Sequence, residues 1–321
     1  MWFNCDPVVV RIAAAVVLAA ALACANAPAA RQTPTIAGGV SVLGVPVGGL
    51  TSEPARARIE AAFSRPVHIV YRGNTITVST QRLGAGAGVD AAVTSALAAT
   101  PRSRIALPVT FSRRNVSSFV DWLARRFYRP PQDATLVGAD ETGPLIREGK
   151  AGLAVRRETM RIALAQTLRS ASRAPLQLLT KPVPPKVTRA TFGQVIVISR
   201  GGNSLRLYDS TQLVRSFGVA TGRAEYPTPA GIWHIVDMER NPWWRPPDSP
   251  WARGLKPIPP GPGNPLGTRW MGLDAAGVGI HGTPDDASIG YSASHGCIRM
   301  HVPDAEWLFD HVGYGTAVVI L

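Results

Sequence analysis

Short strand-like segments separated by tight-turn sequences constrain the C-terminal part of this chain. The first turn sequence is Gly201-Gly202-Asn203 and the second is Asp209-Ser210-Thr211. Because strands joined by short turns pair with their neighbours, this pattern predicts an antiparallel β-meander. We therefore predict a mostly-β, β-sandwich-like domain over residues 190–321. Its strands are expected at Gln194–Ser199, Ser204–Tyr208, Leu213–Ala220, Gly231–Met238 and Gly315–Leu321, with one helix at Pro303–Val312.

Residues 37–183 carry a different pattern, in which helical and strand-like segments alternate. Thr51 is expected to cap a helix with the body Ala55–Phe63, and Arg72-Gly73-Asn74 predicts a hairpin between its flanking segments. Further helices are expected at Ala91–Ala99, Ser117–Phe127 and Arg157–Ser170, and strands at Ile105–Phe111 and Leu176–Leu179. The region is predicted to be an α+β domain with a binding or spacing role. A stiff linker is expected over residues 181–186, which are rich in proline.

The first 30 residues are expected to be a signal peptide or a membrane anchor. Ile12–Cys24 is an uninterrupted apolar run that is short for a membrane-spanning helix and typical of a signal-peptide core. Ala23-Cys24-Ala25 and Ala25-Asn26-Ala27 both offer small-residue cleavage patterns. If Val8–Val10 joins the run, an uncleaved membrane tether is the alternative. In either case we expect an extracytoplasmic protein, exported to the cell wall or periplasm.

The chain is strongly basic, with a formal net charge of +13 and a pI near 10.6. Its basic residues are scattered and form only short doublets such as Arg113-Arg114. Because a nucleic-acid-binding protein usually carries a basic run or a recognition motif, we expect no nucleic acid partner. An anionic cell wall or membrane surface fits an exported chain better, and a merely solvated basic surface is the alternative.

Cys297 is the one cysteine outside the N-terminal segment, which contains Cys5 and Cys24. A lone thiol with histidines nearby, in a chain expected to be exported, indicates a catalytic nucleophile rather than half of a disulfide. An inert buried cysteine is one alternative, but the polar and glycine neighbours argue against an apolar pocket. Zinc binding is the other, but no known ligand spacing occurs among His281, His295, Cys297 and His301. We expect no metal and no cofactor.

The residues around Cys297 have the properties that an activated thiol requires. A thiol is mostly protonated near pH 7, so it needs a base or positive surroundings. Residues 279–282 are expected to end one strand and residues 297–299 to begin the next, which would bring His281 close to Cys297. Arg299 would project to the same side of its strand as Cys297, where it could hold a carboxylate or lower the thiol pKa. His295 by itself is interpreted as structural rather than catalytic.

The pair of motifs IHGT (residues 280–283) and SHGCIRM (residues 294–300) resembles the signature of the L,D-transpeptidase family, the YkuD-type catalytic domain. Further matches are Thr221-Gly222, PTPAG at residues 227–231, PGPGNPLG at residues 260–267 and WMGL at residues 270–273. The resemblance covers about residues 192–321. A clear departure is the Trp- and Pro-rich insertion Asn241–Trp251, for which we favour aromatic packing onto the sheet over a substrate lid.

The resemblance implies a role for each residue of the motif. Cys297 would be the nucleophile and His281 the general base, with the carbonyl of Gly282 orienting the imidazole. The backbone N–H groups of Gly296 and Cys297 are candidates for the oxyanion hole. The remaining residues expected to shape the site are Ser294, His295 and Arg299.

The resemblance also implies the chemistry. The thiolate would attack the carbonyl of the third residue of a peptidoglycan donor tetrapeptide and expel D-alanine. The side-chain amine of an acceptor stem would then resolve the acyl-enzyme and form a 3→3 cross-link. Carbapenem-type β-lactams are expected to acylate the same thiol. The alternatives are an L,D-carboxypeptidase or related hydrolase on the same path, and a non-catalytic cell-wall-binding protein.

A second resemblance concerns residues 37–183. The glycine-rich opening over residues 39–51 and the step from Gly88-Val89-Asp90 into a helix are similar to the peptidoglycan-binding-like domain that often precedes L,D-transpeptidase domains. This resemblance implies that the region binds the cell wall.

Overall fold

The computed structural model describes residues 33–170 and 172–321. The predicted signal peptide or anchor, residues 1–30, lies outside them. The described residues belong to two compact units: one runs to Phe63 and includes Ala87–Pro108, and the other comprises Ser64–Gly86 and Val109–Leu321. The expected domains 37–183 and 190–321 stay predictions. No helix within the described ranges is long and apolar enough to cross a membrane.

The first unit is built around two helices, Ser52–Phe63 and Val89–Leu97. Each buries small or branched apolar residues one turn apart, such as Ala55 with Ile59 and Ala92 with Ala96. An ion pair between Arg56 and Asp90 also links the helices. The strands of this unit are two-residue segments that form one small sheet, at Ser41–Val42, Val45–Pro46 and Arg104–Ile105.

The second unit begins with an α+β region, as the alternating pattern predicts. Its helices, Arg113–Phe127 and Arg157–Arg169, pack around a core that contains Phe119, Leu123 and Leu164. The first helix begins four residues before the expected Ser117, because Ser112 caps it through the Asn115 N–H. The strands here are Val67–Tyr71, Asn74–Val78, Val109–Thr110, Thr135–Asp140, Gly143–Arg147, Gly152–Val155, Leu176–Gln177 and Thr180–Val183. The strand Gly86–Ala87 has one residue in each unit.

Three further features of this region differ from the sequence-based expectation. Residues 181–183, expected in a stiff linker, belong to the strand Thr180–Val183, which pairs with Gly152–Val155. The prediction of a continuous strand at Ile105–Phe111 is wrong, since pairing stops at Ile105 and resumes at Val109. Pro108 lies between the two pieces, and it has no N–H to donate to a strand ladder. The hairpin Thr135–Arg147 was not predicted. Its Leu136 packs against the C-terminal sheet.

An eight-stranded sheet dominates the C-terminal part and confirms the mostly-β prediction. The meander is present as predicted. Its strand Gln194–Ser199 also pairs in parallel with Ala317–Ile320, the last strand of the chain. In order across the sheet, the strands are Gln212–Gly218, Ser204–Asp209, Gln194–Ser199, Ala317–Ile320, Gly231–Arg240, Arg269–Leu273, Gly279–Thr283 and Ile298–His301. The helix Val302–His311 follows the last of these, with Pro303 in its first turn.

The sheet nearly closes on itself. Beyond the first edge strand, Ala220 exchanges both backbone hydrogen bonds with Arg299 of the opposite edge, each at 2.9 Å. One core, which includes Leu205, Ile280 and Ile298, fills the space inside. Short elements complete this part of the chain: strands Thr221–Gly222 and Ser292–Ser294, and 3-10 turns Arg189–Thr191, Pro250–Ala252 and Asp286–Ser288. Closure anchors the segment that carries Cys297 at the seam of the sheet.

Candidate active site

The predicted site residues meet at one cleft of about 780 Å³. Cys297, His281, Ser294, His295 and Arg299 all line it. The two glycines of the prediction lie directly behind this surface, where their backbone atoms hold the lining residues. Aromatic residues that the motif analysis did not assign to the site also line the cleft: Tyr226, Trp243, Trp244, Trp251 and Trp270.

Strand pairing explains how residues 16 positions apart reach the same cleft. The strand Gly279–Thr283 pairs in parallel with Ile298–His301, and His281 lies opposite Arg299. Ile280 and Ile298 are also paired, and both are fully buried in the core. Because side chains alternate between the two faces of a strand, His281 and Arg299 point to the other face, toward the cleft. Cys297 is two residues before Arg299 and shares its side.

His281 is held as a neutral imidazole. His281 is only 4% exposed, and burial lowers the pKa of its imidazole to about 4. The carbonyl of Gly282 opposes that shift, and the positive charge of Arg299 adds to it. The Gly282 oxygen accepts a hydrogen bond from Nδ1 at 2.6 Å, so the proton of the neutral ring lies on Nδ1. Nε2 therefore carries the lone pair, as a general base requires.

Trp270 supports the imidazole from the neighbouring strand. Its ring lies 5.9 Å from the His281 ring, and its Nε1 donates to Asp237 at 3.1 Å. A Cβ on Gly279 would approach the Trp270 ring to 2.3 Å, so the indole can occupy this position only because residue 279 is glycine. The sequence signal for Trp270 was its place in the WMGL motif, but its contact with the base depends on strand register.

Cys297 rests as a thiol. Burial raises its pKa, whereas the Gly279 N–H and the Arg299 guanidinium act in the opposite direction. Its Sγ donates to the Gly277 carbonyl at 3.5 Å, although the residue as a whole keeps some exposed surface. The same cleft is therefore lined by a neutral thiol and a neutral imidazole.

Ser294 braces the turn that carries Cys297. It is 1% exposed, and its Oγ donates to the Cys297 carbonyl at 2.6 Å and accepts from the Gly296 N–H at 3.1 Å. Gly296 has a φ of +115°, which favours glycine, and its carbonyl accepts from Thr228 Oγ1 at 2.9 Å. These bonds connect both sides of the turn to buried hydroxyl groups.

The bonding of this turn bears on the expected oxyanion hole. The Gly296 N–H, one of the two candidate donors, is already used by Ser294. The Cys297 N–H has no protein acceptor within the residues that the structure describes, and it stays a candidate donor for a developing oxyanion.

His295 belongs to the wall of the cleft. Its Nε2 accepts from Arg223 Nη2 at 2.8 Å, because a guanidinium can only donate. Its ring stacks on Trp251 with centroids 4.1 Å apart and an interplanar angle of 17°. Burial and then the charges of Arg223 and Arg299 lower its pKa. The structural interpretation of His295 stays a prediction. The stacking shows that Trp251 packs on a residue of the cleft rather than only on the sheet.

Arg299 supplies positive charge at the edge of the cleft. Its Nη1 lies 3.7 Å from the exposed carboxylate of Asp285, too far for a strong ion pair. The guanidinium therefore remains available to a carboxylate of a bound molecule. Within residues 33–170 and 172–321, no group of three or more His, Cys, Asp or Glu residues is arranged to hold a metal ion.

Comparison with known proteins agrees with the motifs. Residues 193–320 match the family model YkuD, the L,D-transpeptidase catalytic domain. YqjB of Bacillus subtilis, described as a candidate L,D-transpeptidase, is 35% identical over 131 residues, which cover 39% of this chain and 69% of that protein. YkuD of Bacillus licheniformis, described in the same way, is 36% identical over 125 residues, covering 39% of this chain and 64% of that protein.

Similarity to solved structures is weaker. The catalytic domain of the Enterococcus faecium L,D-transpeptidase, solved acylated by ertapenem, is 24% identical. The match covers 40% of this chain and 97% of that domain, with a TM-score of 0.34. The matches to YqjB and to the family model show that this chain belongs to the L,D-transpeptidase family.

Proposed function

We propose that this protein is a cysteine-dependent L,D-transpeptidase that forms 3→3 cross-links in peptidoglycan through an acyl-enzyme on Cys297. The observation that carries the proposal is the placement of Cys297 and His281 in one cleft, where Cys297 directly precedes the strand Ile298–His301 and His281 lies on the adjacent parallel strand. His281 is neutral with its lone pair on Nε2, and Cys297 is a protonated thiol, so the pair has the protonation states that general-base catalysis needs.

In the first half-reaction, His281 Nε2 takes the thiol proton as Sγ attacks the carbonyl carbon of the third residue of a donor tetrapeptide. The carbonyl oxygen becomes an oxyanion that the Cys297 N–H can stabilise. When the intermediate collapses, the C–N bond to D-alanine breaks and His281 returns the proton to the leaving amine. A thioester on Cys297 and free D-alanine result.

In the second half-reaction, the side-chain amine of an acceptor stem attacks the thioester carbon. His281 accepts a proton from the amine, the C–S bond breaks, and the proton returns to sulfur. The new amide bond is the 3→3 cross-link. If water attacks instead, the product is a trimmed stem, so an L,D-carboxypeptidase would use the same residues and differ only in the acceptor.

The setting of the reaction follows from the same proposal. Peptidoglycan stem peptides would be the donor and acceptor, and the basic chain would meet an anionic cell wall outside the cytoplasm. The α+β region over residues 37–183 would contribute wall binding. Carbapenem-type β-lactams would acylate Cys297, because their strained carbonyl needs only an activated thiol and an oxyanion donor. Nucleic acid is not part of this proposal.

Intact mass spectrometry with a carbapenem tests the proposal directly. The wild-type protein should gain one inhibitor mass, and Cys297→Ala should gain none. Tetrapeptide donors incubated with the enzyme, with and without an amine acceptor, then distinguish cross-linked from trimmed products by mass. A wild-type protein that forms neither a carbapenem adduct nor a tetrapeptide thioester would favour the non-catalytic wall-binding alternative.

The pH dependence of acylation should reflect the buried base. Because the pKa of His281 is lowered to about 4, its lone pair remains available from pH 7 down to about 5. The acylation rate should therefore fall only as the pH approaches 4, where the imidazole becomes protonated. An ordinary histidine would produce that fall near pH 6.5. Stopped-flow acylation between pH 4 and pH 8 measures the position of the acid limb, and a midpoint near 6.5 would contradict the assignment of a buried neutral base.

A further inference from the structure

Four side chains form one straight row across the floor of the cleft. Glu239 lies opposite Trp270 in the strand ladder, Trp270 lies opposite His281, and His281 lies opposite Arg299. Residues that are directly opposite in paired strands project to the same face of a sheet. All four line the cleft, as the register requires.

Glu239 is the member of this row that the proposed chemistry does not use. Its neighbour Met238 packs against the core, so Glu239 points to the cleft face of the strand Gly231–Arg240. Glu239 is half-buried, and its carboxylate makes no hydrogen bond or ion pair with any residue that the structure describes. Its neighbour Asp237, in contrast, already accepts the Trp270 N–H. A partly buried carboxylate without a partner favours a cationic group of a ligand.

The row gives the cleft an electrostatic direction. A negative charge at Glu239 and a positive charge at Arg299 lie on opposite sides of the catalytic His281. Three strand spacings of about 4.8 Å separate the ends, so their backbones are roughly 14 Å apart. The insertion adds one charge of each sign to the cleft, from Arg245 and Asp248, and these nearly cancel.

We propose that Glu239 binds the side-chain ammonium of the third residue of the donor stem and so selects a diamino acid at that position. This inference rests on the proposed function. With the scissile carbonyl at Cys297, the side chain of that residue extends toward Glu239, and the terminal carboxylate of the leaving D-alanine lies toward Arg299. The polarity of the row thus matches the side-chain ammonium of the third residue and the terminal carboxylate of D-alanine.

The acceptor amine is a less suitable partner for Glu239. An acceptor must attack as a neutral amine, and a nearby carboxylate stabilises the protonated form. The ammonium of the donor takes no part in bond making and can stay charged throughout. Glu239 is also two strands away from His281, which is the group that must take the proton of the acceptor.

The test compares donor tetrapeptides that differ only in this charge. One pair carries lysine or norleucine at the third position, and a second carries diaminopimelate or its aminopimelate counterpart, which lacks the side-chain amine. Initial D-alanine release gives kcat/KM for each donor. The wild-type protein should prefer the ammonium donor by about tenfold or more, and Glu239→Gln should reduce that ratio to near one by slowing the ammonium donor alone.

Asp248→Asn is the matched control, since it also removes a carboxylate from the cleft but lies outside the row. It should keep the wild-type preference. The inference is overturned if Glu239→Gln retains the preference or if Asp248→Asn loses it equally. Carbapenem acylation separates this failure from failure of the proposed function, because a carbapenem need not use Glu239. Both variants should still form the carbapenem adduct, whereas a wild-type protein that releases no D-alanine from either ammonium donor would contradict the proposed function.

Discussion

Replacing His281 with alanine is expected to slow acylation of Cys297 by about a hundredfold to ten-thousandfold, the range typical for loss of a general base. The thiol has a raised pKa, so little thiolate is present near pH 7 to react without a base. His295 also lines the cleft, but its Nε2 is occupied by Arg223. Stopped-flow measurement of carbapenem acylation, or of D-alanine release from a donor tetrapeptide, gives the rate.

His295→Ala is the control for this prediction, because it also removes a histidine from the cleft. It should lose the stacking on Trp251 and change substrate affinity more than the acylation step. Thermal denaturation of both variants checks that each is folded. The assignment of the base would be wrong if His281→Ala kept a near-wild-type acylation rate while His295→Ala abolished it.

Ser294→Ala should lower the acylation rate by about a hundredfold, the effect expected when a nucleophile moves by about 1 Å. The substitution removes the hydroxyl that joins the Cys297 carbonyl to the Gly296 N–H. Both backbone groups then lack a partner in a buried position, at a cost of about 1–3 kcal/mol each. The melting temperature should therefore fall together with the rate, whereas substrate binding should change less.

Ser292→Ala is a suitable comparison, since Ser292 lies two residues earlier on the same strand and its side chain is exposed. Its rate and melting temperature should match the wild type. Ser294→Thr retains the hydroxyl and should recover part of the lost rate if the extra methyl group fits. An acylation rate within about twofold of wild type for Ser294→Ala would show that the turn keeps its shape without the hydroxyl.

Local patterns predicted most of the elements of this protein. Turn glycines and alternating apolar residues identified the meander, and Pro303 identified the start of the last helix to within one residue. The prediction of a continuous strand at Ile105–Phe111 was wrong, because Pro108 has no N–H and interrupts the pairing. The hairpin Thr135–Arg147 was not predicted, because its apolar residues are partly buried by contact with the C-terminal sheet and not by a local pattern.

The sequence by itself determined the family and predicted Cys297 as the nucleophile and His281 as its base, because the motifs are contiguous and chemically distinctive. The tertiary structure decided how these residues are surrounded. The Arg223 bond to His295, the contact of Trp270 with His281 and the row that ends at Glu239 join positions between 11 and 72 residues apart. Such contacts depend on strand register and sheet closure, which are set by packing of the whole core and leave no local pattern in the chain.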